Sequence, residues 1–91
     1  MPQATLTIQH PAGLHARPAS LFVQAANRFN CEVVVTYKDR SVNAKSILGI
    51  LTLGANQGAR IVISTEGDDA EGALAALKKL VERNFSIEDM G

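Results

Sequence analysis

One histidine and one arginine stand at the start of an amphipathic helix pattern, and together they point to phosphate chemistry. Residues 13–19 read Gly-Leu-His-Ala-Arg-Pro-Ala, which places His15 and Arg17 where a glycine-containing loop gives way to the helix. The first backbone N–H groups of a helix have no partner within it, and the helix dipole adds partial positive charge there. Such a helix start binds anions, and the planar guanidinium of Arg17 suits phosphate. Since histidine is largely neutral and nucleophilic at neutral pH, we expect His15 to take up a phosphoryl group and hold it there.

The composition is that of one small globular domain. The chain has 91 residues, 46% of them hydrophobic, and a formal net charge of zero. That length predicts a single domain, residues 1–91, without room for a second lobe that encloses a substrate. A neutral chain has no broad attraction to nucleic acid or anionic lipid, and no apolar run is long enough to cross a membrane. We therefore expect no nucleic-acid partner and no membrane insertion.

Several enzyme classes leave no signature in the sequence. It contains no metal-ligand cluster, no glycine-rich nucleotide loop and no catalytic triad set, and His10 with His15 makes only a weak metal pair. The sequence thus predicts no cofactor and no metal site, and a protein that serves as substrate for other proteins' active sites rather than a stand-alone enzyme. The N-terminus does not resemble a signal peptide, and the single Cys31 cannot form an internal disulfide. We therefore expect a cytoplasmic protein in which Cys31 is buried.

Hydrophobic periodicity predicts strands alternating with helices. Strict alternation over residues 4–9 indicates a half-buried strand, and apolar residues at helical spacing indicate a helix over about residues 16–28. Further strands, rich in β-branched residues, are predicted at 33–37, 41–43 and 60–66. With the helices described next, the order is β-α-β-β-α-β-α. This order indicates an α+β fold in which an antiparallel sheet carries helices on one face.

The end of the chain predicts a long helix followed by a tail. Apolar residues recur at helical spacing after Asp68, which together with Glu71 resembles a capping box. Lysine and arginine side chains near the end of this helix match the helix dipole. Residues 84–91 are expected to form a loosely ordered tail.

The stretch 45–53 is nearly continuously apolar, so periodicity alone does not separate strand from helix there. We favour a short helix because Ser46 is a good N-cap residue. Four apolar side chains cannot all face inward on one short helix, so we expect some of them to form an exposed patch that binds partners. The four are Ile47, Leu48, Ile50 and Leu51.

Two motifs at their proper separation make the chain resemble a known family. Residues 14–19, Leu-His-Ala-Arg-Pro-Ala, and 43–49, Asn-Ala-Lys-Ser-Ile-Leu-Gly, closely resemble HPr, the histidine-containing phosphocarrier of the bacterial phosphoenolpyruvate:sugar phosphotransferase system. The resemblance implies an HPr-like open-faced β-sandwich with an antiparallel sheet of four strands in the order 1-4-2-3. It also implies that Enzyme I phosphorylates His15 at Nδ1, using phosphoenolpyruvate. The phosphoryl group would then pass to a histidine on the IIA components of sugar transporters.

The same resemblance implies roles for the other site residues. Arg17 matches the family's active-site arginine, and we expect the backbone N–H groups of Ala16 and Arg17 to steady the phosphohistidine. Ser46 matches the residue that the ATP-dependent HPr kinase/phosphorylase modifies in many bacteria. A phosphate on Ser46, beside the apolar patch, would repel acidic partner surfaces and so weaken Enzyme I docking. We further expect a transcription regulator among the partners, and a monomeric protein.

Two other functions fit the same motifs. A nitrogen-branch phosphocarrier paralogue would use the same chemistry with regulatory partners in place of sugar transporters. A regulatory binding module would act only through phosphorylated Ser46 and contact with a transcription factor. The presence of both His15 and Arg17 argues against that module as the only role. The motifs do not separate the sugar branch from the nitrogen branch.

Overall fold

A computed structural model describes residues 2–85, in which the predicted element order β-α-β-β-α-β-α is confirmed. The elements are β1 (Gln3–Thr7), α1 (Ala16–Ala26), β2 (Cys31–Tyr37), β3 (Arg40–Asn43), α2 (Ile47–Thr52), β4 (Arg60–Gly67) and α3 (Ala70–Glu82). The stretch that periodicity left ambiguous is the helix α2, and Ser46 is its N-cap.

The strands form one antiparallel sheet in the order β1-β4-β2-β3, as expected. β4 is central because it pairs with β1 on one side and with β2 on the other. In this register Leu6 lies opposite Ile61, and Val35 lies opposite Ile63. Side chains alternate across a strand, so these apolar residues share the inner face.

The helices cover that inner face and close the core. Phe22 of α1, Ile50 of α2 and Leu77 of α3 are fully buried, and they join the sheet's apolar side chains in one cluster. Burying each such side chain stabilises the fold by roughly 1.5–3 kcal/mol. Within residues 2–85, no helix is both long enough and apolar enough to cross a membrane.

The structure corrects two of the predicted boundaries. α1 ends at Ala26 rather than near 28, since the backbone N–H groups of residues 28 and 29 donate three residues back, to the Ala25 and Ala26 carbonyls, instead of four. β2 begins at Cys31, which pairs with Gly67 at the end of β4. Cys31 is only half-buried there, so the prediction of a buried cysteine is wrong.

The start of α3 differs from the predicted capping box. Asp69 is the N-cap and its side chain makes no capping hydrogen bond. Its Oδ2 instead accepts the backbone N–H of Asn30 at 3.0 Å, which ties α3 to the loop before β2. The Asp69 carboxylate thus bonds to a distant backbone N–H and not to the first turn of its own helix.

The predicted tail is wrong at its beginning. Phe85 is buried, its N–H donates to the Leu80 carbonyl at 2.9 Å, and its ring packs edge-on against His10. A large apolar ring gains more from this contact than from water. Residues 86–91 of the predicted tail lie outside the described residues.

Candidate functional site

His15 stands at the N-terminus of α1, at the boundary of loop and helix. It is the N-cap residue, with extended backbone at φ −132° and ψ 164°, and its side chain makes no capping hydrogen bond. The imidazole is half-exposed, and the Arg17 side chain next to it is exposed. Both side chains that carry the predicted chemistry are therefore accessible to a protein partner.

The first turn of α1 is strained and loosely bonded. Ala16 has φ +50°, the left-handed region that a residue with a Cβ rarely adopts. The Ala19 N–H reaches the His15 carbonyl only at 3.5 Å. Pro18, which has no N–H, is buried in the same turn. The unusual backbone conformation thus falls on Ala16, between His15 and Arg17.

The loop that precedes His15 packs against the loop 54–58, which follows α2. The Leu14 N–H donates to the Ala55 carbonyl at 2.8 Å, and the Leu14 side chain is fully buried. Gly13 has φ +69°, and a Cβ added there would lie 2.6 Å from the Ala55 oxygen and 2.7 Å from the Asn56 Cα. Only glycine allows the two backbones to approach this closely.

This approach brings Asn56 to the imidazole. His15 Nε2 lies 2.9 Å from Asn56 Oδ1 across 41 residues of sequence. The sequence motifs around His15 and Ser46 do not include Asn56. No local pattern could have identified it, because the contact depends on how two distant loops pack.

A shallow apolar pocket of about 220 Å³ opens beside the helix start. It is lined by His10, Ala12, Ala16, Arg17, Pro18, Leu21 and Phe85. The His10 side chain stabilises the loop before α1, since its Nδ1 accepts the Ala12 N–H at 3.0 Å. Among residues 2–85, no group of three His, Cys, Asp or Glu side chains could hold a metal ion.

The helix start offers anion donors within one turn. The backbone N–H groups of Ala16 and Arg17 occupy the first turn of α1, where a helix has no acceptor of its own. The helix dipole and the Arg17 guanidinium add positive charge at the same end. The arrangement can hold a dianionic group covalently attached to the adjacent imidazole.

Ser46 and the predicted apolar patch belong to α2. The Ser46 hydroxyl oxygen accepts the Gly49 N–H at 3.2 Å while the residue remains exposed. Leu48 is 73% exposed, Ile47 40% and Leu51 39%. Ile50 is fully buried, so the expectation that it binds partners is wrong, because the side of α2 that carries it faces the core.

Ser46 lies near the end of α1 that is farther from His15. The Asn27 amide donates to the Lys45 carbonyl at 3.2 Å, and Lys45 Nζ donates to the Phe29 carbonyl at 2.7 Å. These bonds hold the start of α2 near the end of α1, whereas His15 is at its beginning. With 11 residues at about 1.5 Å each, α1 separates the two positions by roughly 16 Å.

Comparisons with known proteins agree with this architecture. The HPr-like protein Crh of Halalkalibacterium halodurans is 41% identical over 83 residues, which cover 91% of this chain and 99% of that protein. A crystal structure of HPr from Thermoanaerobacter tengcongensis is 48% identical, with a TM-score of 0.92 over 93% of this chain and 96% of that one. Crh of Bacillus subtilis, 37% identical with a TM-score of 0.74 over 94% and 99% of the two chains, is a dimer with a swapped domain.

A family model covers nearly the whole described region. The model described as "PTS HPr component phosphorylation site" matches residues 2–83, which include the helix start at His15 and the whole sheet. The three relatives are covered over at least 96% of their own lengths, and the two solved structures among them share the fold. The chain therefore belongs to the HPr family of phosphocarriers.

Proposed function

We propose that this protein accepts a phosphoryl group on His15 from phosphorylated Enzyme I and passes it to IIA components of sugar transporters in the bacterial cytoplasm. The observation that carries the proposal is the accessible His15 imidazole at the N-terminus of α1, beside the exposed Arg17. A half-exposed imidazole can be reached first by one partner and then by another. A small domain with no enclosing lobe suits such an exchange.

The chemistry requires a reversible phosphorus–nitrogen bond. A ring nitrogen of His15 attacks phosphorus with its lone pair, and the bond between phosphorus and the donor group of Enzyme I breaks toward the donor. In the next complex the IIA histidine attacks, and the electron pair of the phosphorus–nitrogen bond returns to His15. The charges at the helix start stabilise the bound dianion by roughly 0.3–1 kcal/mol, rising to about 2 kcal/mol where partly buried. That range is small enough to leave the group transferable.

Arg17 contributes to this stabilisation with its side chain. Replacing Arg17 by alanine removes the guanidinium but no buried contact, since the side chain is exposed. We expect Arg17→Ala to slow phosphoryl transfer in stopped-flow or quench-flow assays while the urea unfolding midpoint stays unchanged. Unchanged transfer rates would remove Arg17 from the mechanism.

Ser46 is proposed as a regulatory site that acts on docking. At roughly 16 Å from His15, by the length of α1, a phosphate on Ser46 lies too far to touch the reacting group. Two exposed apolar residues, Ile47 and Leu48, follow Ser46 directly in the chain. Ser46→Asp should therefore weaken Enzyme I binding in calorimetry, and equal affinity of the two forms would contradict a docking effect. An HPr kinase/phosphorylase is the expected modifying enzyme.

A second candidate function is a regulatory binding module acting through phosphorylated Ser46 and a transcription regulator. The observation that favours it is the 41% identity to an HPr-like protein named Crh. A relative of that name from Bacillus subtilis is described as a catabolite repression protein. His15 beside Arg17 remains the observation in favour of the carrier.

Intact-mass spectrometry distinguishes the two functions. The protein is incubated with Enzyme I and phosphoenolpyruvate, beside a His15→Ala control. One acid-labile phosphate, absent from the control, is the result expected of the carrier. No addition, together with phosphate on Ser46 after incubation with kinase and ATP, would support the regulatory module and contradict the carrier.

We also propose that the protein acts as a monomer. In the structure β1 pairs with β4 of the same chain, which completes the sheet without exchange between copies. Light scattering after size-exclusion chromatography should give the mass of one chain. A stable mass of two chains would instead place this protein with the swapped dimer of its Bacillus subtilis relative.

A further inference from the structure

We propose that Asn56 is a positioning residue that keeps the His15 proton on Nε2 and thereby leaves Nδ1 as the nucleophile. The inference deepens the proposed phosphocarrier function and rests on it for its kinetic part. It is carried by the 2.9 Å contact between His15 Nε2 and Asn56 Oδ1. A carbonyl oxygen can only accept, so Nε2 must be the donor in this bond. In the neutral ring the other nitrogen, Nδ1, then carries the free lone pair.

The backbone on both sides of Asn56 is held in place. The Asn56 carbonyl accepts the Ala59 N–H at 2.9 Å, and the Gly58 N–H donates to the Ile8 carbonyl at 2.7 Å. On the other side, the Ala55 carbonyl accepts the Leu14 N–H at 2.8 Å. These bonds join the loop to the residue that follows β1 and to the residue that precedes His15. Asn56 therefore meets the imidazole from a prearranged position.

The proton on Nε2 matters in both directions of transfer. When Nδ1 attacks phosphorus, its lone pair forms the new bond while the donor departs with the old bonding pair. The ring keeps its Nε2 proton and becomes cationic, and Asn56 Oδ1 still accepts that N–H. When the next acceptor attacks, the phosphorus–nitrogen electron pair returns to Nδ1 and neutral imidazole departs. Without the Nε2 proton, the departing group would be an imidazolate anion, which is a much poorer leaving group.

A spectroscopic test addresses the tautomer without any phosphorylation. Nitrogen-15 NMR of the unphosphorylated protein, at a pH where the imidazole is neutral, reports which ring nitrogen carries the proton. We expect Nε2–H in the wild-type protein. In Asn56→Ala the ratio of Nε2–H to Nδ1–H should fall about threefold to tenfold, the factor that corresponds to one net hydrogen bond. In Asn56→Asp the Nε2–H form should persist, because a carboxylate oxygen still accepts.

Gln57 on the same loop provides the matched control. Its side-chain amide donates to the Gln9 carbonyl at 3.1 Å. This side chain therefore bonds to the backbone shortly after β1 and not to the imidazole. Gln57→Ala should leave the tautomer ratio unchanged. Phosphoryl transfer from Enzyme I, and onward to a IIA component, should slow in Asn56→Ala and keep its wild-type rate in Gln57→Ala.

Several results would overturn the proposal. They are an Nδ1–H tautomer in the wild-type protein, an unchanged ratio in Asn56→Ala, and an equal change in Asn56→Ala and Gln57→Ala. An unchanged transfer rate in Asn56→Ala would refute the kinetic role. Failure of the phosphocarrier function is recognised separately, because it leaves His15 without phosphate in the wild-type protein while the tautomer measurement still gives its own answer.

Discussion

Replacing Gly13 by alanine tests whether the close approach of two loops builds the proposed phosphorylation site. The added Cβ would lie 2.6 Å from the Ala55 carbonyl oxygen and 2.7 Å from the Asn56 Cα. Both are backbone atoms, so neither can rotate away as a side chain would. We expect the variant to push residues 55–56 away from the segment that carries His15.

A second glycine separates the two costs of this change. Gly54 has φ +66°, nearly the +69° of Gly13, but an added Cβ there meets nothing within 4 Å. Alanine in the left-handed region costs roughly 1–2 kcal/mol at either position. The clash at Gly13 adds roughly 1–3 kcal/mol, the usual cost of overpacking. Gly13→Ala should thus lose about 2–5 kcal/mol in total.

Urea unfolding followed by far-ultraviolet circular dichroism measures both variants, since the chain has no Trp to report by fluorescence. The clash at Gly13 should also lower Tm below that of Gly54→Ala by about 4–8 °C for each additional kcal/mol. Phosphate uptake by His15 should fall in Gly13→Ala and stay near the wild-type level in Gly54→Ala. Equal stability and equal uptake in the two variants would refute the idea that this contact builds the site.

Four further substitutions test the helix α2 and the core. Ile50→Ala should lower the unfolding free energy by about 2–5 kcal/mol. Leu48 is 73% exposed, so Leu48→Ala should change the unfolding free energy by at most about 0.5 kcal/mol and should instead weaken Enzyme I binding in calorimetry. A large loss of stability in Leu48→Ala with none in Ile50→Ala would mean that α2 is rotated about its axis. Ser46→Ala removes the hydroxyl that caps α2, so it should lower the free energy of unfolding in urea by about 0.5–2 kcal/mol. An unchanged urea midpoint would show that this cap does not stabilise the fold. Thr65→Val leaves the Ala70 carbonyl without its 2.7 Å donor and should cost about 1–3 kcal/mol by the same assay.

Local patterns were sufficient to predict most of the fold. Period-two alternation and helical periodicity identified the strands and the two long helices, because each element must bury one face. The HPr resemblance supplied the strand order, which periodicity does not contain. The predicted end of α1 and the predicted cap of α3 were wrong. The N–H groups of residues 28 and 29 donate three residues back, and the Asp69 side chain accepts the Asn30 N–H instead of capping its helix.

The positions of the proposed site residues at two helix starts could be predicted in the same way. The motif around His15 and Arg17 is continuous in sequence, so the residue types and the helix start indicated phosphate chemistry directly. Ser46 was identifiable as an N-cap for the same reason, because a cap acts on its own helix. These properties arise from residues that are neighbours along the chain.

What the chain sequence left open depends on contacts between distant segments. The apolar stretch of α2 did not reveal that Ile50 faces the core and Leu48 faces outward, because only the orientation of the helix against the sheet decides that. The sequence alone placed Phe85 in a loosely ordered tail, because the contact of its ring with His10 forms only in the folded chain. Asn56 meets His15 across 41 residues because Gly13 allows two backbones to touch. Residue types determined which chemistry is available to this protein, and tertiary packing decided which side chains are in position to perform it.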